Sequence, residues 1–430
     1  MTKTTILLPL AVLCGALQAQ VSVALASDNV QPAADVADSA NPVIEWNKTL
    51  LTIVRTPGAQ PPTIHSTRNF AMLHVAMFDA VNDITASFSP YLVRRSTEPQ
   101  SASPVAAADQ AAHDVLLALY PDFQSMLDAK LQEDLGQIAE GPEKTSGIAV
   151  GAAVAAEVVA FRANDGSNIS PPPFTAGSAP GDYQLTPPNF ASADFRQWPG
   201  VSLFALARAD EFRPASPPQL TSDEYVSVFN EVKSLGIVTS TTRTADQTVI
   251  GNFWNGNIQD FWNEIAQTAA AAHHLNLLPS ARLFALLNIS LADTTISFFE
   301  AKYTYNFWRP VTAIRLAAED NDPMTQADPN WLPLSTKTAP DPSYPGAHSA
   351  ISFAAAEVLR AYFGDQFTFD VTSESLAGVT RHFTSFTAAA EEAGLSRIYA
   401  GQHFRTDHNA GKLLGHQVAE SIVDTMLLPR

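Results

Sequence analysis

The chain has 430 residues, 46% hydrophobic and 16% charged, which is enough apolar material for one large folded unit or two ordinary ones. That composition excludes a disordered chain. The formal net charge of −18 argues against nucleic acid or an anionic membrane face as a partner. Any anion site in so acidic a chain has to gather its Lys and Arg residues locally.

The first 26 residues read as a signal peptide. Lys3 gives a short basic start, Ile6 to Leu17 is mostly apolar, and Ala24-Leu25-Ala26 is a small-residue cleavage pattern before Ser27. Export to a secreted or periplasmic location is therefore expected. The single cysteine, Cys14, lies inside this segment, so the mature chain has no thiol chemistry. Leu13 precedes it, where a lipid anchor would want a small residue. Residues 27–43, rich in Ala, Asp, Ser and Pro, read as a flexible leader, and 44–430 as the folded domain. No later run looks long and apolar enough to cross a membrane, so no stable membrane insertion is expected.

Beyond the leader, helical patterns follow one another. Phe70, Leu73, His74, Met77, Phe78 and Val81 form a buried stripe at helical spacing. Val105 to Leu119, Asp122 to Ile138 and Lys144 to Ala163 come next, separated by Pro121 and Gly141-Pro142. Residues 165–200, rich in Pro, Gly and Ser, read as a long ordered surface loop. Helices are then expected over Ser222 to Leu235, Thr244 to His274, Ser280 to Tyr305, Ala350 to Phe363, Phe383 to Gly394 and Asn409 to Met426. No run of alternating strands stands out. The class is all-α, with two packed helical bundles in one compact domain.

Three segments carry the chemistry. In the first, Lys302 and Arg309 are seven residues apart, close to two helical turns, so both cations can share a face before Pro310 stops the helix. A shared anion would explain such a pair; so would the helix dipole or solvent exposure. In the second, Pro345-Gly346 gives a tight entry to an apolar helix. The first-turn N–H groups around Gly346 and Ala347 form an oxyanion cradle, with His348 beside it. An ordinary turn carrying a polar histidine is the plainer alternative. In the third, Arg397 offers a planar fork for two oxygens. Arg397 and His403 would face apart on a straight helix, but Gly401 can break it and bring both to one pocket. Asp407 either orients the His403 ring or caps the last helix. The His/Asp density also suggests zinc, weakly, because three nearby cations would repel a bare metal ion.

Together, Lys302 with Arg309-Pro310, the turn ending at His348, and Ser396-Arg397 with His403 and Asp407 resemble the vanadium-dependent haloperoxidases. The same pattern is shared by their relatives, the type 2 phosphatidic-acid phosphatases and acid phosphatases. Arg68 to Ala80 and Arg309-Pro-Val-Thr-Ala-Ile-Arg315 look like the bacterial-type branch. The resemblance implies vanadate as cofactor, with phosphate as a competing ligand. Lys302, Arg309 and Arg397 would bind its equatorial oxygens, His403 would ligate vanadium, and His348 would be the acid/base. Hydrogen peroxide, a halide and a small organic substrate are the implied partners. A phosphatase using His403 as nucleophile, or a non-catalytic oxyanion-binding protein, would use the same residues. Two departures matter. The family loop usually reads Pro-Ser-Gly-His, whereas this chain has Gly346-Ala347 before His348. The position of Asp341 carries an aromatic or His in well-known halogenating members, and a carboxylate there would repel halide.

The other histidines read as structure: His74 on its apolar stripe, and His273-His274 at a helix end, where adjacent positions share no face. Trp254, Trp262 and Trp308 read as core.

Overall fold

The computed structural model describes Met1 and residues 41–60, 66–94 and 100–430. The signal peptide and residues 27–40 of the leader lie outside the described residues. The leader's last residues do not belong to it. Asn41 caps α1 (Pro42–Arg55) by accepting from the Val43 amide at 3.1 Å, and Pro42 supplies the preset backbone angle of a first helical residue.

The helices then run α2 (Ser66–Thr85), α3 (Pro104–Leu119), α4 (Gln124–Gly136) and α5 (Pro142–Arg162). After the irregular crossing come α6 (Asp223–Leu235), α7 (Ala245–Phe253), α8 (Ile258–Ala272), α9 (Leu277–Tyr305) and α10 (Pro310–Arg315). The chain closes with α11 (Ala347–Phe363), the hairpin β1 (Gln366–Thr372) and β2 (Thr380–Ser385), then α12 (Phe386–Tyr399) and α13 (Arg405–Thr425). Residues 165–200 form the expected ordered loop, with one short turn at Trp198–Gly200. Just beyond it the chain is pinned to α9, where the Asp293 carboxylate accepts from the Phe204, Ala205 and Leu206 amides at 2.7–2.8 Å.

The two-bundle architecture is present. α2, α3 and α5 pack together, α11, α12 and α13 pack together, and α9 lies against members of both groups. α9 and α5 are long and apolar enough to cross a membrane by length and composition, contrary to the sequence expectation. For α9 the reason is its position: 94% of its apolar window is buried inside the protein, so it needs no polar face. A second, smaller core joins Tyr225 and Phe229 of α6, Trp308, Trp331, Ile398 and Phe404. This core ties together the chain segments that carry the functional side chains.

Two sequence expectations need correction. The helix expected over Thr244 to His274 is two helices, broken between Trp254 and Asn257. The helix expected from Phe383 starts at Phe386, because residues 380–385 pair with β1, Phe369 opposite Phe383. Phe367, Phe369 and Val371 alternate at strand spacing, a signal too short to stand out in a helical chain. Three Asn-x-Ser/Thr triplets occur in the sequence; Asn47 on α1 and Asn288 on α9 are fully buried, whereas Asn168 is exposed. His74 is a core residue, with Nε2 2.9 Å from Asn47 Oδ1. Trp254, Trp262 and Trp308 are likewise buried.

Candidate functional site

Lys302 and Arg309 meet, but not on one helix face. α9 ends at Tyr305, and Asn306 turns the chain through a left-handed conformation (φ 48°). Arg309 is extended and N-caps α10, so Pro310 opens a helix rather than stopping one. Both cations are buried and converge on Asp341. Its Oδ1 lies 2.8 Å from Lys302 Nζ and 2.7 Å from Arg309 Nη2. Lys302 also donates to Pro342 O, and to Ser343 O at 3.2 Å. Arg309 Nε donates to Asp341 O at 2.8 Å, and Nη1 donates to Gln402 O at 3.0 Å. Burial lowers the Lys302 pKa to about 8, Asp341 pulling it back up and Arg309 pushing it further down. Burial would raise the Asp341 pKa, yet Lys302 and Arg309 together hold it below its usual value.

Gly401 does what the sequence required of it. α12 ends at Tyr399, Gly401 adopts φ +76°, and α13 starts at Arg405. A Cβ at Gly401 would sit 2.7 Å from Gly236 O and 2.8 Å from Pro333 Cβ, so both its conformation and its neighbours demand glycine. The reversal lets the Gln402 amide donate back to Arg397 O at 2.8 Å and brings His403 to the cations.

The His403 ring is fixed at both nitrogens. Nδ1 is 3.0 Å from Asp407 Oδ2, and Nε2 is 3.1 Å from Arg309 Nη1. A guanidinium only donates, so Nε2 accepts and the ring proton sits on Nδ1, given to Asp407. The lone pair needed by a ligand or nucleophile therefore points at the cations. Burial, then the charges of Arg309, Lys302 and Arg397, push the His403 pKa well below its usual value and keep the ring neutral. Asp407 orients the His403 ring, but it is not the N-cap of α13 that the sequence offered as the alternative; that residue is Phe404. The same Oδ2 accepts from the Phe404 amide at 3.1 Å, capping α13 from inside its first turn, and from Ser343 Oγ at 2.5 Å. Burial raises the Asp407 pKa to about 6, against those hydrogen bonds.

Arg397 is the under-partnered cation. It is buried, its Nη1 donates to Asn255 Oδ1 at 3.1 Å, and its Nε has no acceptor among the described residues. Burial, then the Arg309 charge, lowers its pKa to about 10. Arg397 and Asn255 also line a cavity of about 320 Å³, walled by Thr186 to Asn189 and Lys337 to Pro340. His348 stands in the first turn of α11, half-buried, with Nε2 donating to Trp254 O at 2.9 Å. Burial, then Arg397, holds its pKa well below the usual value. In the neutral ring the free lone pair is on Nδ1. The Gly346 amide is taken by Asp407 O at 2.8 Å, so the cradle rests on the first-turn amides of Ala347 and His348, which have no intrahelical acceptor.

Sequence reasoning missed Ser343, Asn255 and Gln402, and saw in Asp341 only its effect on halide. Ser343 and Asp341 lie in the loop before His348, where the approach of a cation leaves no periodic signal. Asn255 lies in the break between α7 and α8.

These features define a two-bundle helical protein with three cations buried close together and an imidazole lone pair aimed among them. Residues 282–428 match the VCPO second helical-bundle domain. The vanadium chloroperoxidase of Curvularia inaequalis is 26% identical over 299 residues, 52% of this chain and 48% of that one. The match thus spans about half the length of this curated relative. The crystal structure of the first bacterial vanadium-dependent iodoperoxidase superposes with a TM-score of 0.75 and 25% identity, covering 90% of this chain and 95% of that one. A holo-type bacterial vanadium-dependent chloroperoxidase shares the fold, with TM-score 0.69 and 16% identity over 90% of this chain and 97% of that one. The chain thus shares the fold of the bacterial vanadium-dependent iodo- and chloroperoxidases, and residues 282–428 carry the matched second helical-bundle domain.

Proposed function

We propose that the chain is an exported, vanadium-dependent haloperoxidase that oxidises a halide or an organic sulfide with hydrogen peroxide. The observation that carries this reading is the His403 lone pair, held by Asp407 and aimed among three buried cations. The residues suit vanadate: the buried Nε of Arg397 and Nε2 of Gln402 have no acceptor among the described residues and are donors suited to its oxygens. Lys302, Arg309 and Arg397 would hold its oxygens, with the Ala347 and His348 amides beside them, and His403 Nε2 would be the ligand to the metal. When bound, vanadate supplies a Lewis-acid centre that activates peroxide without changing oxidation state. His348, kept neutral, offers Nδ1 as the base that takes a proton from peroxide entering through the Arg397 cavity. Burial keeps bulk water from screening the cations.

One observation favours a second reading, an acid phosphatase acting through a phosphohistidine at His403. Asp341 puts a carboxylate where a halide would approach, and a phosphomonoesterase has no halide to repel. Against it, a neutral His348 has its one proton on Nε2, given to Trp254 O, and is a poor acid towards a leaving oxygen. Purified protein freed of phosphate should oxidise iodide or a thioether with peroxide in a saturable, vanadate-dependent manner that phosphate suppresses. Failure at saturating vanadate would overturn the peroxidase reading. Export rests on the N-terminal pattern, with cleavage after Ala26 and a helical domain following the leader; a native protein that begins at Met1 would contradict it.

A further inference from the structure

The donors of the site are not equally available, and counting them leads to Asp341. An ammonium has three N–H donors. Those of Lys302 have three acceptors at hand: Asp341 Oδ1, Pro342 O and Ser343 O. Arg309 spreads its donors over Asp341 O, Asp341 Oδ1, Gln402 O and His403 Nε2, which leaves one N–H of Nη2 over. Arg397, by contrast, has one named acceptor for a guanidinium with five donors. An oxyanion can therefore reach Arg397 directly. It can reach Lys302 only by taking the place of an acceptor the protein already supplies.

Of those acceptors, two are main-chain carbonyls fixed by the loop that leads into α11. The third is a side-chain carboxylate, the one group free to swing away by rotation about its own bonds. We infer that Asp341 is a built-in counter-anion whose carboxylate shares the seat between Lys302 and Arg309 with the incoming oxyanion, so that binding is an exchange of one anion for another. This rests on the oxyanion reading above and sets its selectivity. An anion must out-compete a tethered carboxylate for two buried cations, which a multiply charged oxyanion does and a single halide does not. The same carboxylate explains how two like charges stay buried side by side, since removing the counter-charge in direct contact with a buried pair is destabilising.

The test is Asp341→Asn, which keeps the shape and removes the charge. Phosphate and vanadate affinities of wild type and variant are measured by titration calorimetry at one pH and ionic strength, with thermal melts alongside. The variant is expected to bind both oxyanions at least about tenfold more tightly, and to melt lower than wild type without phosphate but not in saturating phosphate. Equal or weaker binding by a natively folded variant overturns the inference and makes Asp341 a positioning residue for the cations. If the variant folds only in phosphate, the anion has replaced the carboxylate, as expected; failure to fold even in saturating phosphate overturns the inference. Binding by wild type with no gain in Asp341→Asn sinks this inference alone, whereas no binding by either protein sinks the oxyanion reading itself.

Discussion

Replacing Arg397 by Met separates function from stability more sharply than any other change in the site. The side chain is buried, its Nε has no acceptor among the described residues, and its named acceptor is Asn255 Oδ1. An under-paired buried cation costs stability, and an apolar side chain of similar volume removes that cost. The free protein should therefore hold its melting temperature or gain by a degree or more. Oxyanion binding should fall steeply. A bidentate contact is two charge-assisted hydrogen bonds, each worth about 1.5–3 kcal/mol, or roughly 3–6 kcal/mol together. That corresponds to a loss of about 10²–10⁴ in affinity. Lys302→Ala should behave in the opposite way. It strands the Asp341 carboxylate and two carbonyls, so it should lower the melting temperature first. Calorimetric titration with phosphate, paired with thermal melts, reads both quantities. An Arg397→Met protein that melts several degrees lower and binds phosphate normally would refute the reasoning and make Arg397 a structural residue.

Other expectations follow from the same geometry. His403→Ala should abolish peroxide-dependent oxidation while weak phosphate binding survives on the cations; full activity would show that His403 is not the ligand. Gly401→Ala should destabilise the fold by about 1–3 kcal/mol, from its left-handed backbone and the contact with Gly236 O, as a denaturant melt would report; an unchanged midpoint would contradict it. Asp260 is buried, its Oδ1 has no partner among the described residues, and burial raises its pKa to about 7. A raised folded pKa means its contribution is fully present below the ordinary carboxylate range and is lost as pH climbs towards 7. Asp260→Asn should thus raise the melting temperature at pH 8 and have little effect at pH 4, and a variant that gains nothing at pH 8 would show the group to be satisfied.

The helical class and most helix positions were legible because long amphipathic runs leave a periodic trace, as on α2, α3 and α6. The same logic hid the hairpin, whose few alternating residues compete with helical patterns on both sides. Types and spacing were enough to single out candidates that the fold brings together, Lys302, Arg309, Arg397 and His403, but not the geometry joining them. Lys302 and Arg309 were read as one helix face, whereas the left-handed turn at Asn306 puts Arg309 at the start of a new helix. Gly401 was readable because glycine has few reasons to sit between two functional residues. Asp341, Ser343 and Asn255 come from loops, where contacts depend on tertiary packing rather than on any period. A residue that meets its partner across the fold announces itself in the sequence only if its type is unusual for its place.

The most direct test is a paired assay on one preparation of wild-type protein, freed of phosphate and reconstituted with vanadate. Peroxide-dependent oxidation of iodide, bromide and a thioether is measured beside hydrolysis of a generic phosphomonoester in the vanadate-free protein. Vanadate-dependent oxidation, suppressed competitively by phosphate and accompanied by little hydrolysis, is the predicted result. Efficient phosphomonoester hydrolysis with a trapped phosphohistidine, and no oxidation at any vanadate concentration, would contradict it.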